Sequence, residues 1–163
     1  MAAVDDGDKE VVHLPELGCL ELRSHPLRGR GVFTRNPISK GTLVHISPVL
    51  VFGREEYRDY GKHTCLDHYT YCWRGGQYAL ALGLGSMFNH EPSGSENVGF
   101  VRDMDRALIK YVALRDITAG EELCICYGPN VWFEVVTDNS SSKSATAESP
   151  PETPLDFLHS FQL

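Results

Sequence analysis

Short apolar segments recur between residues 19 and 126, and most are too short to form helices. Their alternating or continuous pattern predicts strands at residues 19–23, 31–33, 43–46, 49–52, 107–114 and 122–126. Segment 54–60 predicts a short helix, and segment 79–88 predicts a strand that leads into a short helix, whereas residues 61–77 show no assignable pattern. Many short strands separated by turn signals predict a mainly β domain.

The two ends of the chain differ from its middle in pattern and in charge. Residues 1–10 sum to -3, residues 134–163 sum to -4, and the middle is neutral, which accounts for the net charge of -7. We predict a disordered acidic N-terminus (1–12), a domain (13–136) and a flexible linker rich in Ser, Thr and Pro (137–154). The segment that follows (155–163) holds five apolar side chains in nine residues, so we predict a lid or a dimer contact.

Composition also narrows the classes of partner. No run of about 18 apolar residues is present, so we expect no membrane partner. The sequence has no cluster of Lys and Arg residues that could contact a row of phosphates, so we expect no direct contact with nucleic acid. The acidic ends would attract a basic protein or peptide, although solvated tails are the simpler explanation. The five cysteines are predicted to be thiols of an intracellular protein, because the first residues do not resemble a signal peptide.

Three short motifs hold the candidate chemistry. The first is Arg28 to Phe33, in which Gly29-Arg30-Gly31 lacks the third glycine of a dinucleotide fingerprint. The second is Asn89-His90, and the third is Tyr127, which ends the strand that follows Gly120-Glu121-Glu122. Taken singly, they are explained by a turn, a satisfied polar pair and a core aromatic residue.

In this order, the three motifs resemble the SET domain, the fold of many protein-lysine methyltransferases, over residues 17–133. The chain is similar to small stand-alone fungal SET proteins. The resemblance implies a mainly β fold of small, β-clip-like sheets with a few short helices and a C-terminal pseudoknot that brings the tyrosine near the Asn-His pair. It also implies methyl transfer from S-adenosylmethionine to a lysine side chain, with no metal.

The resemblance assigns roles to residues by position. The catalytic residues would be Tyr127 and Tyr78, and the lysine would pass between Tyr78, Ile125 and Tyr71. The cofactor would be held through main-chain groups of the first motif, through the Asn89 amide and through His90, with an aromatic residue over its adenine. The full predicted cofactor-binding set is Arg28, Gly29, Arg30, Gly31, Val32, Phe33, Asn89, His90, Tyr127 and Trp132. Core packing is an equal explanation for the aromatic residues Tyr71 and Trp132.

The chain departs from the family pattern in two places. After His90 it has Glu91-Pro92 where the family has Ser-Cys, and Asn97 comes later than its counterpart. No cysteine follows Cys126, where many relatives carry a zinc segment, so the apolar C-terminal segment is predicted to close the cofactor site. Four residues have zinc-like spacing but no paired knuckle, and we predict no metal site there: His63, Cys65, His68 and Cys72.

The sequence is compatible with several substrates, compartments and roles. The family's best-known substrates are histone tails, which implies chromatin and the nucleus, although the cytoplasm stays open. A non-histone substrate, a non-catalytic module that binds cofactor or peptide, and a homodimer are the alternatives. Ile125 stands where many relatives carry Phe or Tyr, which favours addition of two or three methyl groups. The sequence does not identify the target lysine.

Overall fold

Strands dominate the computed structural model, which describes residues 18–25 and 27–128. The strands of this part of the chain are β1 (Leu20–His25), β2 (Gly29–Thr34), β3 (Leu43–Phe52), β4 (Thr70–Cys72), β5 (Tyr78–Ala81), β6 (Asn89–His90), β7 (Val98–Asp103), β8 (Leu108–Ala113) and β9 (Glu122–Ile125). One α-helix, α1 (Arg54–Asp59), and short 3-10 helices at Gly61–His63, Cys65–His68 and Arg74–Gly76 complete the described elements. The prediction of a mainly β domain is confirmed.

The larger sheet has the strand order β4-β5-β3-β8-β7, and its neighbours are antiparallel. Its long strand β3 covers both of the segments predicted separately at 43–46 and 49–52. The first part of β3, up to Pro48, pairs with β8, and the part from Val49 pairs with β5. Because proline has no N–H to donate to a neighbouring strand, a change of partner at Pro48 suits it.

The smaller sheet has the order β1-β2-β9-β6 and joins the three sequence motifs. On one side, β9 runs antiparallel to β2, with Val32 opposite Leu123. On the other side, β9 runs parallel to β6, with Asn89 opposite Cys124 and His90 opposite Ile125. A strand of this kind is a central strand, which explains why the last three residues of β9 are all buried instead of alternating.

Both sheets contribute to one hydrophobic core. Its largest fully buried side chains include Tyr111, Phe88, Ile109, Leu123 and Ile125. Burial of apolar side chains of this size is the main stabilising term of such a domain, at roughly 1.5–3 kcal/mol for each. The aromatic residues of the core therefore form a rigid base beneath the motifs.

The local predictions had mixed outcomes. The helix at 54–60 is confirmed as α1, with Tyr57 as its buried residue. The short helix predicted after the strand at 79 is wrong, because residues 82–86 form turns and Gly83 has a φ of 68°. Strands β4, β6 and β7 were not predicted. Among the described residues, no helix is long and apolar enough to cross a membrane.

Candidate active site

Tyr127 follows the end of β9 and is tied to the Asn-His segment at two points. Its hydroxyl donates a hydrogen bond to the Phe88 carbonyl oxygen at 2.6 Å. Its backbone N–H donates to Nδ1 of His90 at 3.0 Å, and the rings of these two residues lie 5.2 Å apart. The predicted approach of Tyr127 to the second motif is therefore present in the structure, and the parallel pairing of β6 with β9 produces it.

The Tyr127 hydroxyl is a neutral donor at physiological pH. Burial of the phenol raises the pKa of Tyr127 to about 12. At pH 7 the hydroxyl therefore keeps its proton, which it donates to the Phe88 carbonyl oxygen, and it cannot act as a general base. The residue still exposes 38% of its surface, so a ligand can reach it.

A cavity of about 320 Å³ opens beside Tyr127. All of the residues predicted to contact the lysine lie in its wall: Tyr71, Tyr78, Ile125 and Tyr127. Phe88 and Phe100 add two further aromatic walls. The rest of the lining is polar and includes Asp67 and Arg102. The aromatic part of the cavity suits an unbranched aliphatic side chain, because it removes apolar surface from water.

The tyrosines of this cavity are held from behind. The Tyr78 ring stacks on Tyr57 at a centroid distance of 3.9 Å, and the Tyr57 hydroxyl bonds to Asp67 and Thr70 at 3.0 and 2.6 Å. The Tyr71 hydroxyl donates to the Gly85 carbonyl oxygen at 2.7 Å. The wall of the cavity is therefore fixed before any substrate enters, which lowers the cost of ordering on binding.

Asn89 is fixed by a carboxylate that the sequence did not single out. Its Nδ2 donates to Oε1 of Glu122 at 2.6 Å. A Cβ atom on Gly31 would overlap both of these groups, so a larger residue there would displace the Asn89–Glu122 pair. Among the described residues nothing donates to Oδ1 of Asn89, so this oxygen is available to accept a hydrogen bond from a ligand's ammonium group.

Arg28 contributes a side chain where the resemblance implied a main-chain contact. Its guanidinium donates to Glu122 at 3.1 Å, to Glu91 at 2.6 Å and to the carbonyl oxygen of His90. The Arg28 and Glu122 side chains expose only 16% and 11% of their surface. Charged pairs with this degree of burial have stronger hydrogen bonds than surface pairs. Arg28 thus joins the first motif to the second.

The glycine motif presents its backbone beside Asn89. Strand β9 pairs with β2 only at Val32 and Phe33, so Gly29 to Gly31 have β1 as their one strand neighbour among the described residues. This edge can serve the predicted main-chain contacts. The Arg30 side chain is exposed, whereas the Val32 side chain is fully buried in the core and takes no part in the site.

The loop after His90 reaches the same strand in spite of its departure from the family pattern. Asn97 is 3% exposed, and its Nδ2 donates to the carbonyl oxygen of Glu122 at 2.7 Å and to Oε1 of Glu121 at 3.0 Å. Its Oδ1 accepts from the N–H of Cys124 at 2.8 Å. Asn97 therefore binds β9 as a further strand would. The longer segment between His90 and Asn97 does not prevent this contact.

A second cavity of about 330 Å³ lies against the other face of β9, at Glu122 and Cys124. Two residues of the predicted cofactor set, Arg28 and Phe33, line it. Burial raises the pKa of the Cys124 thiol to about 12, so this group is a neutral packing residue and not a nucleophile.

The remaining predictions concern Trp132, the C-terminal segment and the zinc-like set. Trp132 and the apolar segment 155–163 fall outside the described residues. Within residues 18–25 and 27–128, no group of three or more His, Cys, Asp or Glu side chains is placed to hold a metal ion. Cys65 and Cys72, two members of the zinc-like set, are exposed free thiols.

Comparison with known proteins gives two kinds of sequence match. The SET domain model matches residues 29–128. A curated protein of Schizosaccharomyces pombe, named as a histone-lysine N-methyltransferase specific for H3 lysine 37, is 46% identical over 138 residues. That alignment covers 85% of this chain and 89% of the yeast protein.

Solved structures share the fold. A Plasmodium falciparum protein described as a candidate histone methyltransferase is 24% identical, with a TM-score of 0.54, over 70% of this chain and 96% of that one. The SET8 protein of Cryptosporidium is 22% identical, with a TM-score of 0.55, over 69% of this chain and 59% of that one. At these identities the likeness supports the arrangement of the strands.

Proposed function

We propose that this chain, which belongs to the SET-domain family, is an S-adenosylmethionine-dependent protein-lysine N-methyltransferase that acts on histone H3. The observation that carries the proposal is the placement of Tyr127. Its hydroxyl lies at the wall of an aromatic cavity and is fixed by a carbonyl oxygen of the segment that holds the Asn-His pair.

S-adenosylmethionine would supply the methyl group from its sulfonium. Two features of the described residues fit such a ligand. The Gly29 to Gly31 backbone can meet its carboxylate, and the Oδ1 of Asn89 can accept from its ammonium group. Glu122 keeps the other end of the Asn89 amide occupied, which turns the acceptor oxygen away from the carboxylate.

The cavity can prepare the lysine for transfer. A free lysine side chain has a pKa near 10.4 and is almost wholly charged at pH 7. The aromatic walls at Tyr71, Phe88 and Phe100 disfavour the charged amine by desolvation, so its pKa falls on entry. Alignment of the neutral amine with the methyl donor then supplies up to about 7–11 kcal/mol in well-oriented cases.

The proposal that histone H3 is the substrate, and lysine 37 the target, rests on the 46% identity to the yeast protein of that name. It is tested by incubating the full chain with labelled S-adenosylmethionine and two H3 proteins, one natural and one with lysine 37 replaced by arginine. We expect label on natural H3 and at least a tenfold loss on the replaced protein. Equal labelling of the two H3 proteins would move the target to another lysine. In a parallel reaction with a cell lysate, label only on proteins other than H3 would favour the non-histone alternative.

We further propose that the product is a di- or trimethylated lysine. Ile125 is fully buried in the cavity wall and has no hydroxyl to hold a water molecule where additional methyl groups must fit. Mass spectrometry of the exhaustively treated H3 peptide tests this. Monomethyl product alone would contradict it.

Because histones are found in the nucleus, we also propose that this protein is located there. A fluorescent fusion of the full chain, expressed in fungal cells, is expected to overlap with a DNA stain. Exclusion from the nucleus would contradict the compartment and weaken the case for chromatin, while leaving the chemistry of the site untouched.

A further inference from the structure

Behind the cavity that we propose for the substrate lysine lies a tyrosine with no role in the predicted site. Tyr111, in β8, is fully buried and does not line the cavity. It does contact three residues that do: Phe88 at a ring distance of 4.7 Å, Phe100 at 6.3 Å, and Tyr71 through its hydroxyl. A fully buried phenol must satisfy its hydroxyl group within the protein, and here that requirement is met at the cavity wall.

The hydrogen bonds around Tyr111 have a defined direction. The Tyr71 hydroxyl gives its single proton to the Gly85 carbonyl oxygen at 2.7 Å. Tyr111 donates to the Tyr71 oxygen at 3.1 Å and shares its proton with the same carbonyl at 3.2 Å. Tyr71 therefore has its donor used and one of its acceptor positions occupied, so its ring and hydroxyl are held in one orientation.

The backbone at Gly85 lies directly against this network. A Cβ atom on Gly85 would lie 2.6 Å from the Tyr111 hydroxyl oxygen and would also overlap the Ser47 hydroxyl. The Tyr71 ring also packs edge-on against Phe100 at 5.3 Å. Packing and hydrogen bonding thus restrict the same side chain from opposite sides.

We propose that Tyr111 is a positioning residue that sets the shape of the lysine cavity through Tyr71, and thereby the relative rates of the successive methyl transfers. This inference rests on the proposed methyl transfer. An unmethylated amine fills little of the cavity and depends most on a fixed wall for its orientation. A dimethylated amine is bulkier and is oriented by packing alone. Loss of the Tyr111 hydroxyl should therefore slow the first transfer more than the last.

The test compares kcat/KM on three peptides that carry an unmethylated, monomethylated or dimethylated target lysine. For Tyr111→Phe we expect about a fivefold loss on the unmethylated peptide, the kinetic equivalent of one hydrogen bond, and less than twofold on the dimethylated peptide. The KM for S-adenosylmethionine should stay within twofold of the natural value. Ile109→Val is the matched control, because Ile109 is also fully buried in β8 and has no hydroxyl.

A double-mutant cycle with Tyr71→Phe identifies the route of the effect. If Tyr111 acts through Tyr71, the double variant should lose no more than the more impaired single variant. Equal losses on all three peptides, or fully additive losses in the cycle, would overturn the inference. If Tyr111→Phe proves too unstable to assay, Tyr71→Phe must show the same peptide ranking, because it breaks the same bond from the other side. Activity of the natural chain on the unmethylated peptide separately tests the proposed function.

Discussion

At the scale of single residues, the site depends on a few polar side chains that fix one another. The sequence could identify Tyr127 and Asn89, because each stands within a recognisable motif. It could not identify the contacts of Glu122 and Asn97, which are with residues 24 to 94 positions away along the chain. The one available signal was the double acid Glu121-Glu122 at the start of an apolar strand. A strand buried on both faces must give such a carboxylate a partner.

Glu122→Gln tests whether this carboxylate orients Arg28 and Asn89 for cofactor binding. Removal of the charge weakens the pairing with Arg28, which keeps its ion pair with the more exposed Glu91, and weakens the bond that orients Asn89. We expect the KM for S-adenosylmethionine to rise about tenfold, the cost of losing one charge-assisted hydrogen bond, with a smaller change in kcat.

Glu91→Gln is the control for this change, because Glu91 pairs with the same arginine but exposes 30% of its side chain, whereas Glu122 also accepts from Asn89. It should raise the same KM less than threefold. Equal effects of the two variants, or a fall in kcat with an unchanged KM, would show that Glu122 does not act through the cofactor.

At the scale of elements, β9 organises the site, and the sequence predicted it well. Its neighbours were harder to predict. Strand β6 is only two residues long, and its parallel pairing with β9 is a long-range contact that leaves no local pattern. The apolar residues of segment 79–88 resemble those of a short helix, but in the turns at 82–86 only Leu84 packs against the core, while Leu82 is exposed.

The connection between β8 and β9 predicts a pH dependence of stability. Glu121 is partly desolvated, which alone would raise its pKa, but hydrogen bonds from Arg115, Thr118 and Asn97 lower the pKa to about 2. The ordinary value is 4.5. The folded state therefore binds this proton less readily than the unfolded chain, and the stabilisation is present above pH 4.5 and lost as the pH falls towards 2.

Urea unfolding of the natural chain and of Glu121→Gln between pH 7 and pH 2.5 measures this contribution. The natural chain should be more stable at pH 7 by about 1–2 kcal/mol, a modest value because a quarter of the side chain meets screening water. This advantage should fall to a small fraction of its pH 7 value by pH 2.5. Glu55→Gln, a change of the same charge on the exposed face of α1, is the control. A difference that stays constant with pH would refute the assignment.

At the scale of the whole molecule, the two cavities that β9 lines lie at alternate side chains of this strand, one at Ile125 and the other at Glu122. That arrangement would let a cofactor and a protein substrate approach from different sides. The fold class followed from the sequence because short strands and turn signals cover most of the domain. The role of the C-terminal segment, 155–163, stays a prediction, since it lies outside the described residues.

A truncation after Glu134 tests that prediction. If the apolar segment closes the cofactor site, activity should fall at least tenfold, because water is no longer excluded from the transfer. If it forms a dimer contact, light scattering should report a change from two copies to one. Retention of both activity and oligomeric state would exclude the lid and the dimer contact together.

The central claim is that Tyr127 at the wall of the aromatic cavity makes this chain a lysine methyltransferase. The most direct measurement is methyl transfer to histone H3 by the natural chain and by Tyr127→Phe, with cofactor binding measured by calorimetry on both. We predict a loss of transfer of at least about 100-fold in the variant, as for a group that acts in the transition state, with cofactor affinity changed less than threefold. Equal transfer by the two proteins, or binding of cofactor by the natural chain without any transfer, would contradict the account.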